Sequence, residues 1–138
     1  MFGLAGAGVA VIGFRQINSS QGPQASGGYT QALLVTDAKQ WLYISGQIPE
    51  TSIGTVPKSF DDQAELVWQN IKIQLAEVGM TVNNLVKVTT FLSSRAFRDQ
   101  NSLARRKALG EHRPALTVII TDIYSEEWLL EIEAIAAA

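Results

Sequence analysis

The chain has no cysteine and a single histidine, His112. Disulfides, thiol nucleophiles and cysteine-based zinc sites are thereby excluded, as are metal centres that need two or three imidazoles. A Ser-His-Asp triad would have to run through His112, and no nucleophile-elbow motif accompanies it. A lone histidine beside Arg113 and Pro114 reads instead as a loop residue. Excess charge of either sign is also missing: 11 Lys and Arg stand against 13 Asp and Glu, with a pI of about 5.3. Duplex-binding proteins usually carry a clear excess of cations to neutralise phosphates. DNA is therefore excluded as a partner, and RNA is disfavoured. The local cluster Arg105-Arg106-Lys107 reads as the solvated face of a helix.

Long apolar runs are absent too. The most apolar stretch, residues 1–14, is rich in Gly and Ala but falls short of the roughly 20 residues that cross a bilayer. It lacks the basic start of a signal peptide, since the first arginine is Arg15. It reads as an N-terminal extension, flexible or artefactual, ahead of one domain spanning residues 15–138. The expected setting is cytoplasmic, with no membrane contact.

What is present suits a packed domain: 138 residues, 46% hydrophobic and 17% charged. Residues 19–28 and 49–58 read as loops from their Gly, Pro and Ser content. A helix is predicted from Ser59, which with Asp62 forms a capping-box-like start. Phe60, Ala64, Val67, Ile71, Leu75 and Val78 follow at helical spacing, and Gly79 is the natural terminator. A second helix is predicted from about Ser94 to Leu109, with Phe97, Asn101, Ala104 and Ala108 turned inward.

Strands are predicted at about 14–18, 31–36, 40–47, 85–92, 115–123 and 129–136. Alternation places Leu42 and Ile44 on one face, and Trp41, Tyr43 and Ser45 on the other. Leu130, Ile132 and Ala134 share a face, opposite Glu131, Glu133 and Ile135. The order of elements implies an α+β fold with two helices covering one face of a sheet. The other face then mixes aromatics with carboxylates, a composition suited to a subunit interface that holds a pocket.

Several segments resemble one family when taken in order. They are Gly28-Tyr29-Thr30-Gln31-Ala32, Ser45-Gly46-Gln47-Ile48-Pro49, Gln63-Ala64 with Asn70-Ile71-Lys72, and Val86-Lys87-Val88-Thr89. Phe97 with Asn101 completes the set, together with Pro114-Ala115 and the run from Glu131 to Ala136, which fit that family's closing hairpin. Together they resemble the Rid (reactive intermediate deaminase), YjgF-like group, also known as L-PSP endoribonucleases. The resemblance implies a chorismate-mutase-like fold, a mixed sheet with two helices on one face, and a homotrimer. It implies a small-molecule ligand in pockets between subunits, and a reaction that hydrolyses imines or enamines without metal or cofactor.

Carried over residue by residue, Glu131 matches the family's catalytic glutamate and Tyr29 its pocket tyrosine. Ser45, Gly46, Gln47, Asn101 and Arg113 are the further candidates for ligand contact. Ser45 and Gln47 read mainly as residues that hold their loop through backbone hydrogen bonds, and Asn101 as satisfying buried backbone groups. The family's substrate-gripping arginine falls on Leu116, the residue after Pro114-Ala115. Gly28 replaces a usual proline, and Ala104 stands where an aromatic is common. Loss of an arginine–carboxylate pair costs about 2–5 kcal/mol. Leu116 therefore implies weak activity on carboxylate-bearing 2-imino acids, and a raised proton affinity for Glu131. The alternatives are a non-catalytic trimer that binds a small ligand or partner and, less favoured, an endoribonuclease.

Overall fold

The computed structural model describes residues 11–138. Most of the stretch read as an extension thus lies outside the described residues. Strand β1 (Gly13–Ile17) nevertheless begins within it and pairs with β2 (Ala32–Thr36) as an antiparallel two-stranded sheet. Four further strands form a second sheet: β3 (Trp41–Gln47), β4 (Leu85–Leu92), β5 (Ala115–Ile120) and β6 (Leu130–Ala137). Their spatial order is β3-β6-β4-β5, with only the β4–β5 pair parallel. Pro114-Ala115 and the Glu131 run were expected to open and close one hairpin. Instead β4 lies between β5 and β6, so the two do not pair. The last strand enters the centre of the sheet and leaves β5 at an edge.

Helix α1 (Phe60–Glu77) starts where the capping residues predict. The Ser59 hydroxyl accepts from the Asp62 N–H at 3.1 Å, and Asp61 and Asp62 sit at the positive helix end. Its buried face comprises Phe60, Gln63, Ala64, Val67, Trp68, Ile71 and Leu75. Val78 departs from the predicted stripe and is 48% exposed, because the helix has already turned into its cap there. Helix α2 (Arg98–Leu109) follows a 3₁₀ turn at Arg95–Phe97. Phe97 stacks on Phe60 with centroids 4.6 Å apart, which ties the start of α2 to the start of α1. The inward residues of α2 are Asn101, Arg105 and Leu109, with Ala104 and Ala108 only partly covered.

Cross-strand partners fix which residues share a sheet face. Val88, Leu116 and Ala134 are aligned across β4, β5 and β6. This row faces the helices, where Val88 and Ala134 are buried and Leu116 packs against the core. The intervening rows carry Lys87, Thr89, Phe91, Glu131, Glu133 and Ile135 on the uncovered face. Trp41 and Tyr43 extend it and are 48% and 73% exposed. The face of mixed aromatics and carboxylates is thus present as predicted.

Gln63 joins three segments. Its amide donates to the Pro57 and Glu127 carbonyls at 2.8 and 2.9 Å, and its oxygen accepts from the Leu129 N–H at 2.8 Å. Buried backbone groups left without partners each cost about 1–3 kcal/mol. Gln63→Leu is therefore expected to lower unfolding free energy by about 2 kcal/mol or more despite its similar volume. Urea titration of both proteins checks this, and an unchanged midpoint would disprove the bridging role.

Candidate active site

Glu131 sits on β6 opposite an irregularity in β3. Between the paired positions Ile44↔Ala134 and Gln47↔Ile132, β3 takes one more residue than β6. Such a bulge bends a strand and redirects its side chains. Ser45 and Gly46 occupy it, and the Gln47 side-chain amide donates to the Ser45 carbonyl at 2.9 Å. The Glu131 carboxyl group lies across Gly46. A Cβ built on Gly46 would come within 2.7 Å of Glu131 Cδ and nearer still to Oε2. Glycine is thus required by close approach: any side chain would displace the carboxylate. The Ser45-Gly46-Gln47 motif is the floor of the glutamate site, with Gln47 bracing the loop.

Glu131 binds its proton more tightly than an ordinary glutamate. Burial of the carboxyl group is the larger cause, and the neighbouring carboxylate of Glu133 adds to it. The direction agrees with the expectation from sequence, but the cause does not. Leu116 was expected to contribute apolar surface beside Glu131, yet the two lie on opposite faces of the sheet.

The remaining candidates divide between two places. Tyr29, Leu116 and Asn101 line one cleft of about 860 Å³ between α2, β5 and the first loop. That loop is held by Thr30, a buried residue whose N–H donates to the Pro114 carbonyl at 3.1 Å. The contact sets Tyr29 beside the start of β5. Arg113 lines neither site. Its guanidinium donates to the Gly110 and His112 carbonyls at 2.9 and 3.3 Å, capping the negative end of α2. His112 is likewise structural in its contacts: Nε2 lies 2.7 Å from the Leu85 carbonyl oxygen. Asn101 is buried, but its side-chain oxygen has no hydrogen-bond partner, so it does not satisfy the backbone in the way expected.

Sequence reasoning missed Arg105. It was grouped with Arg106 and Lys107 as solvated, yet it is only 6% exposed and lines the same cleft as Leu116. The missed signal is spacing: Phe97, Asn101 and Arg105 recur every four residues on the inward face. Arg95, Arg98 and Arg106 also border the cleft, against one acid, Asp99. The border of the cleft therefore carries more cations than acids. Among the described residues no group of three or more His, Asp and Glu is placed to hold a metal ion. No helix among them is long and apolar enough to cross a membrane.

Two helices on a mixed sheet, with a glutamate laid over a glycine bulge, define an α+β domain of the Rid class. The family model described as Endoribonuclease L-PSP matches residues 19–138, and the chain belongs to this Rid/L-PSP family. TdcF of Escherichia coli, named as a reactive intermediate deaminase, is 30% identical over 129 residues, covering 87% of this chain and 94% of its own. The mitochondrial protein MMF1 of Saccharomyces cerevisiae is 34% identical over 122 residues, covering 87% and 81%. The crystal structure of TdcF with bound serine superposes with a TM-score of 0.68 at 27% identity, covering 90% of this chain and 98% of that one. The Rid protein YyfB of Yersinia pestis shares the fold at a TM-score of 0.78 and 22% identity, over 91% and 98%.

The raised proton affinity of Glu131 has a consequence for stability. A carboxyl group that holds its proton more tightly when folded favours the folded state at low pH. That contribution is lost as pH rises from the unfolded value, about 4.3, through the folded one. Relative to Glu131→Gln, the wild type is therefore expected to lose melting temperature across this window and then level off. Parallel melts at stepped pH check it, and a constant difference would refute it.

Proposed function

We propose that the chain is a cofactor-independent, deaminase-like hydrolase of small imines or enamines. The observation that carries the reading is the Glu131 carboxyl group, held across Gly46 with raised proton affinity. Its protonated form donates to the imine nitrogen while water adds to the imine carbon. The other water proton passes to the nitrogen, the C–N bond of the resulting carbinolamine breaks, ammonia leaves, and the remaining hydroxyl proton returns to the Glu131 carboxylate. An imine and one water become a ketone and ammonia, and the acid is regenerated. The family membership and the name carried by TdcF support the reaction class.

The homotrimer belongs to the same reading. Trp41, Tyr43 and Ile119 are 48%, 73% and 43% exposed around the glutamates of the uncovered face. A neighbouring copy packed there would bury them and exclude water from Glu131. The expected weakness toward 2-imino acids rested on an absent guanidinium. It stays part of the reading, since Leu116 supplies no guanidinium at the position where the family's arginine falls.

Ammonia release from imines generated in place by an amino-acid oxidase tests the reading. Glu131→Gln is expected to lower kcat/KM about 100- to 10,000-fold, the usual worth of a general acid. Gly46→Ala should cost activity for the same reason while melting near the wild type. Full activity in Glu131→Gln would remove Glu131 from the chemistry, and a wild type that releases ammonia no faster than buffer would favour a non-catalytic ligand-binding trimer.

A further inference from the structure

Helices α1 and α2 are joined at their starts but not along their length. The Phe60–Phe97 stack ties them there, and the Gln100 side-chain amide donates to the Asp61 carboxylate at 2.9 Å. Alongside that joint a groove of about 440 Å³ opens between the helices, within the roughly 300–1,000 Å³ usual for small-molecule sites. Its apolar lining is Trp68 from α1, and Leu103, Ala104 and Ala108 from α2. Ala104 and Ala108 lie one helical turn apart, so two short side chains in succession leave the space. Ala104 is also the position at which the sequence departs from an aromatic. The groove has the room of the missing ring.

Trp68 makes this space more than a gap. It is 3% exposed, and its indole Nε1 is buried without a hydrogen-bond partner among the described residues. A buried indole N–H ordinarily finds an acceptor, and leaving it without one is costly. The charged rim is divided by sign. Asp61 and Glu65 stand toward the helix starts, and Lys72 and Lys107 stand farther along both helices. Asp61 is already engaged by Gln100. Lys72 follows Trp68 by one turn on α1, so a single acidic group can meet both the indole N–H and the ammonium.

We propose that the groove between α1 and α2 is a binding site for a small planar aromatic anion. The ring lies against the Trp68 indole and over Ala104 and Ala108. The anionic group accepts from Trp68 Nε1–H and faces Lys72 and Lys107. The site is separate from the candidate chemistry: Glu131 lies on the uncovered face of the sheet, and the arginines of the other cleft line a different side of α2. Binding here therefore stands or falls independently of the hydrolase reading.

Titration of the full chain with 2-naphthoate and with 2-naphthamide, followed through the indole N–H resonances, tests the site. Naphthoate is expected to shift the Trp68 resonance saturably while those of Trp41 and Trp128 stay in place. The amide should bind at least about threefold more weakly, the worth of one or two exposed charge pairs. Ala104→Phe fills the groove and should weaken naphthoate at least about tenfold, while melting no lower than the wild type because it covers apolar surface. If Ala104→Phe does not fold, the exposed pair Lys72→Gln and Lys107→Gln serves, and should erase the preference for naphthoate over the amide. A Trp68 resonance that neither probe moves would overturn the proposal. So would equal binding of the two probes by the wild type, undiminished binding in a folded Ala104→Phe, or a preference that survives loss of both lysines.

Discussion

The position of β6 decides on which face of the sheet the candidate site residues fall. Inserted between β3 and β4, it carries alternate side chains to opposite faces of a sheet whose two sides differ completely. Leu130, Ile132, Ala134 and Ala136 meet the helices and are buried. Glu131 and Glu133 are thereby committed to the uncovered face. A shift by one residue would put two carboxylates into the core, which no pairing there would compensate. The register of the sheet is thus enforced by the desolvation cost of Glu131 and Glu133.

That commitment separates two chemistries in one protomer. On the uncovered face, the β3 bulge brings a strand backbone against the Glu131 carboxyl group and raises its proton affinity. On the helix side, Asn101 and Arg105 look across a cleft at Leu116. The sheet lies between them, so the two groups of side chains do not meet within one protomer.

Much of this was legible in the sequence because local rules and tertiary demands agree. Ser59 and Asp62 mark a helix start that packing also wants, and the alternation in β3 and β6 correctly sorts Ile44 from Tyr43 and Ile132 from Glu131. Strand β4 was bounded at Leu85 and Leu92 because its pattern has no competing reading. Pairing was the part that failed. Nothing local tells β6 to seek β3 and β4 instead of β5, since that choice is made by three-dimensional packing. Arg105 failed for a related reason: a charge in a basic run defaults to solvent, and only its four-residue spacing from Asn101 argued otherwise. The placement of Leu116 relative to Glu131 required both the pairing and the face, so it lay beyond reading by motif.

The displacement of β5 to the sheet edge has one more consequence. Its sequence, ALTVII, is uncharged, free of proline and rich in β-branched residues, with Val118, Ile119 and Ile120 all substantially exposed. Only its first residue is covered on the far side, by the bridge from Thr30 to Ala115. Such a strand is a template for cross-β growth. The same residues that bound the cleft therefore leave a row of backbone N–H and C=O groups on which a further strand can pair.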